Sequence, residues 1–154
     1  MAKELDFLVQ LNQKINSLGL FAQSTIGLLG PGESISIMAM PGGEETEYFD
    51  GSRDKNFNVQ INAKSKNQMN CFNALTTIYQ TLENLDDLPS ANGSYDFQKI
   101  TTQSLPSLLE QDEQGFFVYV LSIEAKITIY KGVSYWCGKR TLSHNILSPV
   151  CPKT

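Results

Sequence analysis

The chain has 154 residues, 41% of them hydrophobic and 18% charged, with 12 Lys plus Arg against 16 Asp plus Glu for a formal charge of -4. That is the make-up of one soluble domain, and its acidic balance argues against a nucleic-acid binder. It also argues against a membrane protein, because the most apolar stretch, Gly115 to Tyr130, is interrupted by Ser122, Glu124 and Lys126.

The charge is unevenly spread. Residues 1–130 carry 8 basic and 16 acidic side chains, a balance of -8, whereas residues 131–154 carry Lys131, Lys139, Arg140 and Lys153 and no acid, a balance of +4. The sequence therefore divides into a domain over 1–130 and a basic C-terminal extension over 131–154. Cys71, Cys137 and Cys151 are too few for a disulfide framework, and no N-terminal segment has signal-peptide order, so the protein is expected to be made and kept in a cytosol.

Leu5, Leu8, Leu11, Ile15 and Leu18 recur at steps of three and four and predict an amphipathic helix from about Ala2 to Leu18, ended by Gly19. From Glu33 the period drops to two, with Ile35, Ile37 and Ala39 alternating with Ser34, Ser36 and Met38. That pattern predicts a strand, and Pro41-Gly42-Gly43 predicts a turn after it. Glu45 to Phe49 and Lys55 to Ala63 are further extended segments, joined through Asp50-Gly51-Ser52-Arg53-Asp54, which has hairpin chemistry or could form a longer protruding loop. In the second of these, Phe57, Val59, Ile61 and Ala63 share one face and Asn56, Asn58, Gln60 and Asn62 the other. Four carboxamides in alternation predict a solvated or interfacial surface, because burying them without partners is costly.

A second helix is predicted from about Asn67 to Asn84, with Cys71, Ala74, Leu75, Ile78, Leu82 and Leu85 along its stripe and Ser65 or Asn67 as its N-cap. Extended residues Tyr95 to Gln103 follow, then an irregular segment from Pro106 to the acidic Glu110–Glu113. Phe117, Tyr119, Leu121, Ile123, Ala125, Ile127 and Ile129 then share one face of a long strand, which should be the buried face. The order of elements gives an α+β domain, a mostly antiparallel sheet with two helices packed on one face.

Catalytic chemistry is poorly supported. His144 is the only histidine and has no acidic neighbour. The spacing of Cys137, His144 and Cys151 lacks the close ligand pairs of a zinc site, and Gly138-Lys139-Arg140-Thr141 lacks the leading glycine of a phosphate loop. No enzyme activity, metal or cofactor is expected. The acidic run Glu44, Glu45, Glu47, Asp50 and Asp54, with Arg53 among it, reads as a solvated loop or as a surface that repels a polyanion. Tyr135 and Trp136, beside Arg140, read as an adhesive pair that pins the extension to its own domain or to a neighbour.

Several segments together resemble one group of proteins: Asp6-Phe7-Leu8-Val9-Gln10-Leu11-Asn12, Ser36 to Gly43, Tyr48-Phe49-Asp50-Gly51-Ser52-Arg53-Asp54-Lys55-Asn56-Phe57-Asn58-Val59-Gln60-Ile61, Ala63 to Gln68, Asn92 to Phe97 and Gly115 to Ile129. Over residues 3–130 the chain resembles the minor capsid proteins of tailed bacteriophages of Gram-positive hosts, whose element order is similar to that of tail terminator and tail-to-head joining proteins. The resemblance implies a virion subunit that closes into a ring, expected to be a hexamer, at the head-proximal end of the tail. Its partners would be the major tail tube protein and the head-side connector, and DNA would pass through the ring without specific binding. On this reading Asn56, Asn58, Gln60 and Asn62, with Tyr135, Trp136 and Arg140, are candidate subunit contacts. Glu44, Glu45, Glu47, Asp50, Arg53 and Asp54 are candidate pore or rim residues. The alternative is a non-catalytic binding or regulatory module that forms no ring.

Overall fold

The structure is a computed structural model that describes residues 3–131 and 133–134, with side chains from Leu5 to Lys131. In chain order the elements are β1 (Lys3–Glu4), α1 (Phe7–Asn16), β2 (Ser24–Ile26), β3 (Ser34–Met40), β4 (Glu45–Glu47), β5 (Arg53–Ser65), α2 (Gln68–Glu83), β6 (Tyr95–Gln111), β7 (Phe117–Ile129) and β8 (Val133–Ser134). The main sheet runs β2-β3-β5-β7-β6, with β4 also paired to β5, and every pairing in it except β2 with β3 is antiparallel. β1 and β8 form a separate parallel pair, Lys3 opposite Val133 and Glu4 opposite Ser134. The chain is thus α+β, as its element order predicts.

The sheet is organised by its two central strands. β5 and β7 pair over their full lengths, from Arg53 opposite Ile129 to Ser65 opposite Phe117. Because directly paired residues point to the same face, Val59, Ile61 and Ala63 join Leu121, Ile123, Ala125, Ile127 and Ile129 in one apolar layer, and all eight are buried. Both helices cover this layer. α1 contributes Phe7, Leu8, Leu11 and Ile15, and α2 contributes Cys71, Ala74, Leu75, Ile78 and Leu82, to a single core cluster. Each fully buried Leu or Ile stabilises the fold by roughly 1.5–3 kcal/mol.

Four local features differ from the sequence-based expectation. α1 starts at Phe7 and not near Ala2, because Lys3–Glu4 pair with β8 and Asp6 turns its carboxylate away from the helix. β2 was not foreseen; Asn16 of α1 holds its first residue, accepting from the Ser24 amide at 2.6 Å and donating to the Ser24 carbonyl at 3.1 Å. Pro41-Gly42-Gly43 does not reverse the chain. β3 and β4 lie on the same edge of β5, so residues 41–44 are an interruption opposite Asn56 and Phe57 and the reversal comes later, at Tyr48–Ser52. Finally, β6 runs through Pro106 to Gln111 by way of register shifts. It is the outermost strand, where a missing N–H disrupts no ladder.

Of the two candidate caps for α2, Asn67 is the one: its Oδ1 accepts from the Met69 amide at 2.9 Å. Ser65 braces the same turn, accepting from the Asn67 amide and donating to Glu33 Oε2.

Candidate functional site

The helix-free face of the sheet carries the even-numbered residues of β5. Asn56, Asn58 and Gln60 are half-buried there, and Lys126, Glu124 and Ser122 of β7 stand directly opposite them. Asn62 departs from the expectation of a solvated amide: it is buried, at 7% exposure. Burial is tolerated because its amide is bonded; Asn62 Oδ1 accepts from Gln60 Nε2 at 2.9 Å, and its Nδ2 donates to Ser36 Oγ at 3.5 Å. The amides left at the surface are therefore those of Asn56, Asn58 and Gln60, with Asn62 bonded beneath them.

The acidic run forms the far end of the long β3–β4/β5 hairpin, and residues 41–50 are all exposed. Glu44, Glu47 and Asp50 face solvent. Glu45 lies 3.9 Å from both Arg53 and Lys55, so one acid of the group is partly neutralised. Asp54 is engaged differently. Its carboxylate accepts from Thr128 Oγ1 at 2.7 Å, from Tyr48 OH at 2.7 Å and from Gln98 Nε2 at 3.4 Å, and the Thr128 and Tyr48 bonds hold its pKa below the usual carboxylate value. Asp54 thus ties the hairpin to β7, and the acids of the run that project their charge outward are Glu44, Glu47 and Asp50.

The hairpin tip is held by its own polar groups. Tyr48 N donates to Ser52 O, Gly51 N donates to Tyr48 O, and Asp50 Oδ1 accepts from both the amide and the hydroxyl of Ser52. Those Ser52 bonds depress the Asp50 pKa, so the tip keeps its negative charge well into the acid range. Gly43 permits the approach of β4 to β5: its φ is +91°, and a Cβ there would sit 2.0 Å from the Asn56 carbonyl oxygen.

At the other end of the chain, Asp6 closes the domain. Its Oδ1 accepts from Ser90 Oγ at 2.6 Å and Ser94 Oγ at 2.9 Å, and its Oδ2 from the amides of Ala91 at 2.8 Å and Asn92 at 3.3 Å. Partial burial alone would raise this carboxyl's pKa, but the four donors outweigh burial and lower it. β8 continues from this corner, which joins the start of the extension to the N-terminal strand. Tyr135, Trp136 and Arg140, with Cys137, His144 and Cys151, lie outside the described residues.

A family model described as bacteriophage tail terminator protein matches residues 14–129. The chain belongs to the bacteriophage tail terminator family. No curated protein matches it. The match takes in the last three residues of α1, all of α2, the whole six-stranded sheet and the hairpin, and it stops where β7 stops. Membership of the tail terminator family makes the protein a structural component of a phage tail, a non-catalytic kind of protein.

Two features of this tail terminator were not singled out from sequence. Phe49, at the hairpin tip, is fully exposed. On the outer half of β6, Leu105, Leu108 and Leu109 are each more than half exposed, and Met69 and Phe72 of α2 are exposed as well. A period-two scan that stopped β6 at Gln103 could not have grouped them. Among the described residues, no three His, Cys, Asp or Glu side chains are disposed to hold a metal ion, and no helix is long and apolar enough to cross a membrane.

Proposed function

We propose that this tail terminator closes into a ring, with six subunits as the expected number, at the head-proximal end of the tail tube. There it would end tube growth and present a docking face to the head-side connector. The observation that carries the reading is the family match over the whole sheet together with an exposed hairpin of net negative charge: five acids between Glu44 and Asp54 against Arg53 and Lys55. A ring that must let DNA through gains from walls that do not bind phosphate, since Lys and Arg contacts retard sliding in proportion to the counterions released. Glu44, Glu47 and Asp50 then line or rim the pore, with Glu45 and Asp54 shaping the hairpin that carries them. Asn56, Asn58 and Gln60 supply a wetted subunit contact, Asn62 supports it, and Tyr135, Trp136 and Arg140 reach an adjacent subunit.

Light scattering on the purified chain, alone and mixed with the major tail tube protein, tests the ring directly, and negative-stain microscopy reads its subunit number. Changing Glu44, Glu47 and Asp50 together to Lys should leave subunit folding intact and slow DNA ejection in an infectivity assay. Unchanged ejection would remove these residues from the pore.

A further inference from the structure

β6 ends the sheet, and among the described residues no strand pairs with its outer edge. Along the outer half of that edge Leu105, Leu108 and Leu109 are 61%, 51% and 58% exposed. α2 extends the patch. Its Glu83 accepts a hydrogen bond from Thr102 of β6, and Phe72 lies eleven residues earlier, three helical turns back on the same flank. Leu108 is opposite Tyr119, whose hydroxyl donates to Gln68 in the first turn of α2, so Phe72 and Met69 stand at the level of Leu108. Beyond Leu109 the same edge continues to Glu110, which is paired with Val118 and so lies on the other face of the sheet, and to Glu113 in the turn after β6; neither has an ion-pair partner among the described residues.

We propose that this apolar edge receives the C-terminal segment, residues 135–154, of a second copy of the chain. Two properties of the segment fit the patch. It carries Lys139, Arg140 and Lys153 and no acid, which complements Glu110 and Glu113, and it begins with the aromatic pair Tyr135-Trp136. Reach decides between the subunit's own edge and a neighbour's. From Ile129 to Tyr119, the level of Leu108, β7 covers about 33 Å. Trp136 is seven residues beyond Ile129, which allows at most about 25 Å of extended chain, and part of that length is used in pairing Val133–Ser134 with Lys3–Glu4. Tyr135 and Trp136 therefore cannot reach Leu108 of their own subunit but can meet that of a neighbour. The four register shifts along β6 twist its edge and discourage continuous strand addition, so the contact is made by side chains. A patch at one end of the subunit filled by a segment leaving the other end is a head-to-tail contact, the kind that closes rings. In that respect the proposal rests on the ring reading above.

The test uses the full chain with Cys137 and Cys151 changed to Ser and with Leu108→Cys and Trp136→Cys introduced singly and together. Under mild oxidation the double variant should give disulfide-linked ladders of two or more chains on a non-reducing gel. A bond confined within one chain, or no bond beyond that of the single variants, overturns the proposal. Light scattering on a chain ended at Ser134 and on Leu108→Ser supplies the second readout. Each should raise the apparent dissociation constant of the oligomer by about thirtyfold or more, the scale of losing one aromatic anchor. A truncated chain that assembles as well as the full one overturns the docking while leaving the ring standing. Ladders from the double variant, with a wild-type chain that forms no ring with the tube protein, would keep the docking and remove the ring.

Discussion

Replacing Asp6 with Ala removes an acceptor that serves four donors linking the start of α1 to the loop before β6. Hydrogen bonds to a charged group contribute roughly 1.5–3 kcal/mol each when nothing replaces them. Here water can replace several: the Ala91 and Asn92 amides are in exposed residues, and Ser90 retains Asn92 as a partner. Ser94 is fully buried; its oxygen still accepts from the backbone amide of residue 6 at 3.3 Å, but its proton is left with only the weaker approach to Ser90 at 3.4 Å, so this hydroxyl carries most of the net loss. The expected destabilisation is about 2–3 kcal/mol, which at about 3 °C per kcal/mol for a domain of this size lowers Tm by about 6–9 °C. Because the folded-state pKa of Asp6 lies below its ordinary value of 3.8, its contribution is present at neutral pH and is lost as the pH falls below that value through the depressed one. Urea unfolding of Asp6→Ala beside the wild type should therefore show a gap that is constant between pH 7 and pH 5 and narrows toward pH 3. A gap under about 0.5 kcal/mol at pH 7, or one that stays constant down to pH 3, would refute the account of Asp6 as a charged lock.

Further outcomes follow from the same geometry. Gly43→Ala must move its Cβ or the Asn56 carbonyl by an ångström or more and also strains a left-handed backbone, so it should cost about 2 kcal/mol or more; Gly32→Ala, which meets open space, should stay within about 0.5 kcal/mol in the same unfolding assay. Phe49→Ser removes a ring that touches little of its own subunit, so Tm should change by less than about 2 °C, while light scattering with the tube protein should read weaker assembly if the tip takes part in it. The Cys71 thiol is pushed up to about 11 by burial and sits among Ala63, Phe117 and the α2 stripe, so peptide mass spectrometry after alkylation at pH 8 should find it unmodified until the chain is unfolded. Leu75→Ala, at a fully buried position of the same stripe, should cost about 2–5 kcal/mol by denaturant titration.

The helix stripes and the alternation in β3, β5 and β7 were legible because each is a long periodic segment whose burial is decided by one face. Cys71, Ala74, Leu75, Ile78 and Leu82 are buried as their spacing predicts, and so are the apolar residues of β7 from Leu121 onward. What was not legible depends on partners distant in sequence. The start of α1 is set by Asp6 bonding to residues more than eighty positions away. β2 exists because Asn16 brackets Ser24, a contact that its three residues do not announce. Pro106 reads as a breaker and is tolerated only because β6 is the sheet's edge. At the candidate site, the alternation of Asn56, Asn58, Gln60 and Asn62 correctly put all four on one face, but periodicity could not say that Ser36 of β3 would bury and bond the last. The exposure of Phe49 was hidden for a related reason: an aromatic after a strand-like run reads as core until the turn that carries it outward is known.

The parallel pairing of Lys3–Glu4 with Val133–Ser134 also bears on when the protein can finish folding. β1 has no partner until Val133–Ser134 have been made, and Asp6 has none of its four donors until Ser90 to Ser94 are made. Contacts between the chain's extremes carry the largest loop-closure cost and form late. The β1–β8 pair is thus a completion step. Until it forms, the segment that follows Ser134 has no fixed point of departure, so a nascent subunit cannot present that segment in a defined direction before its own body is built.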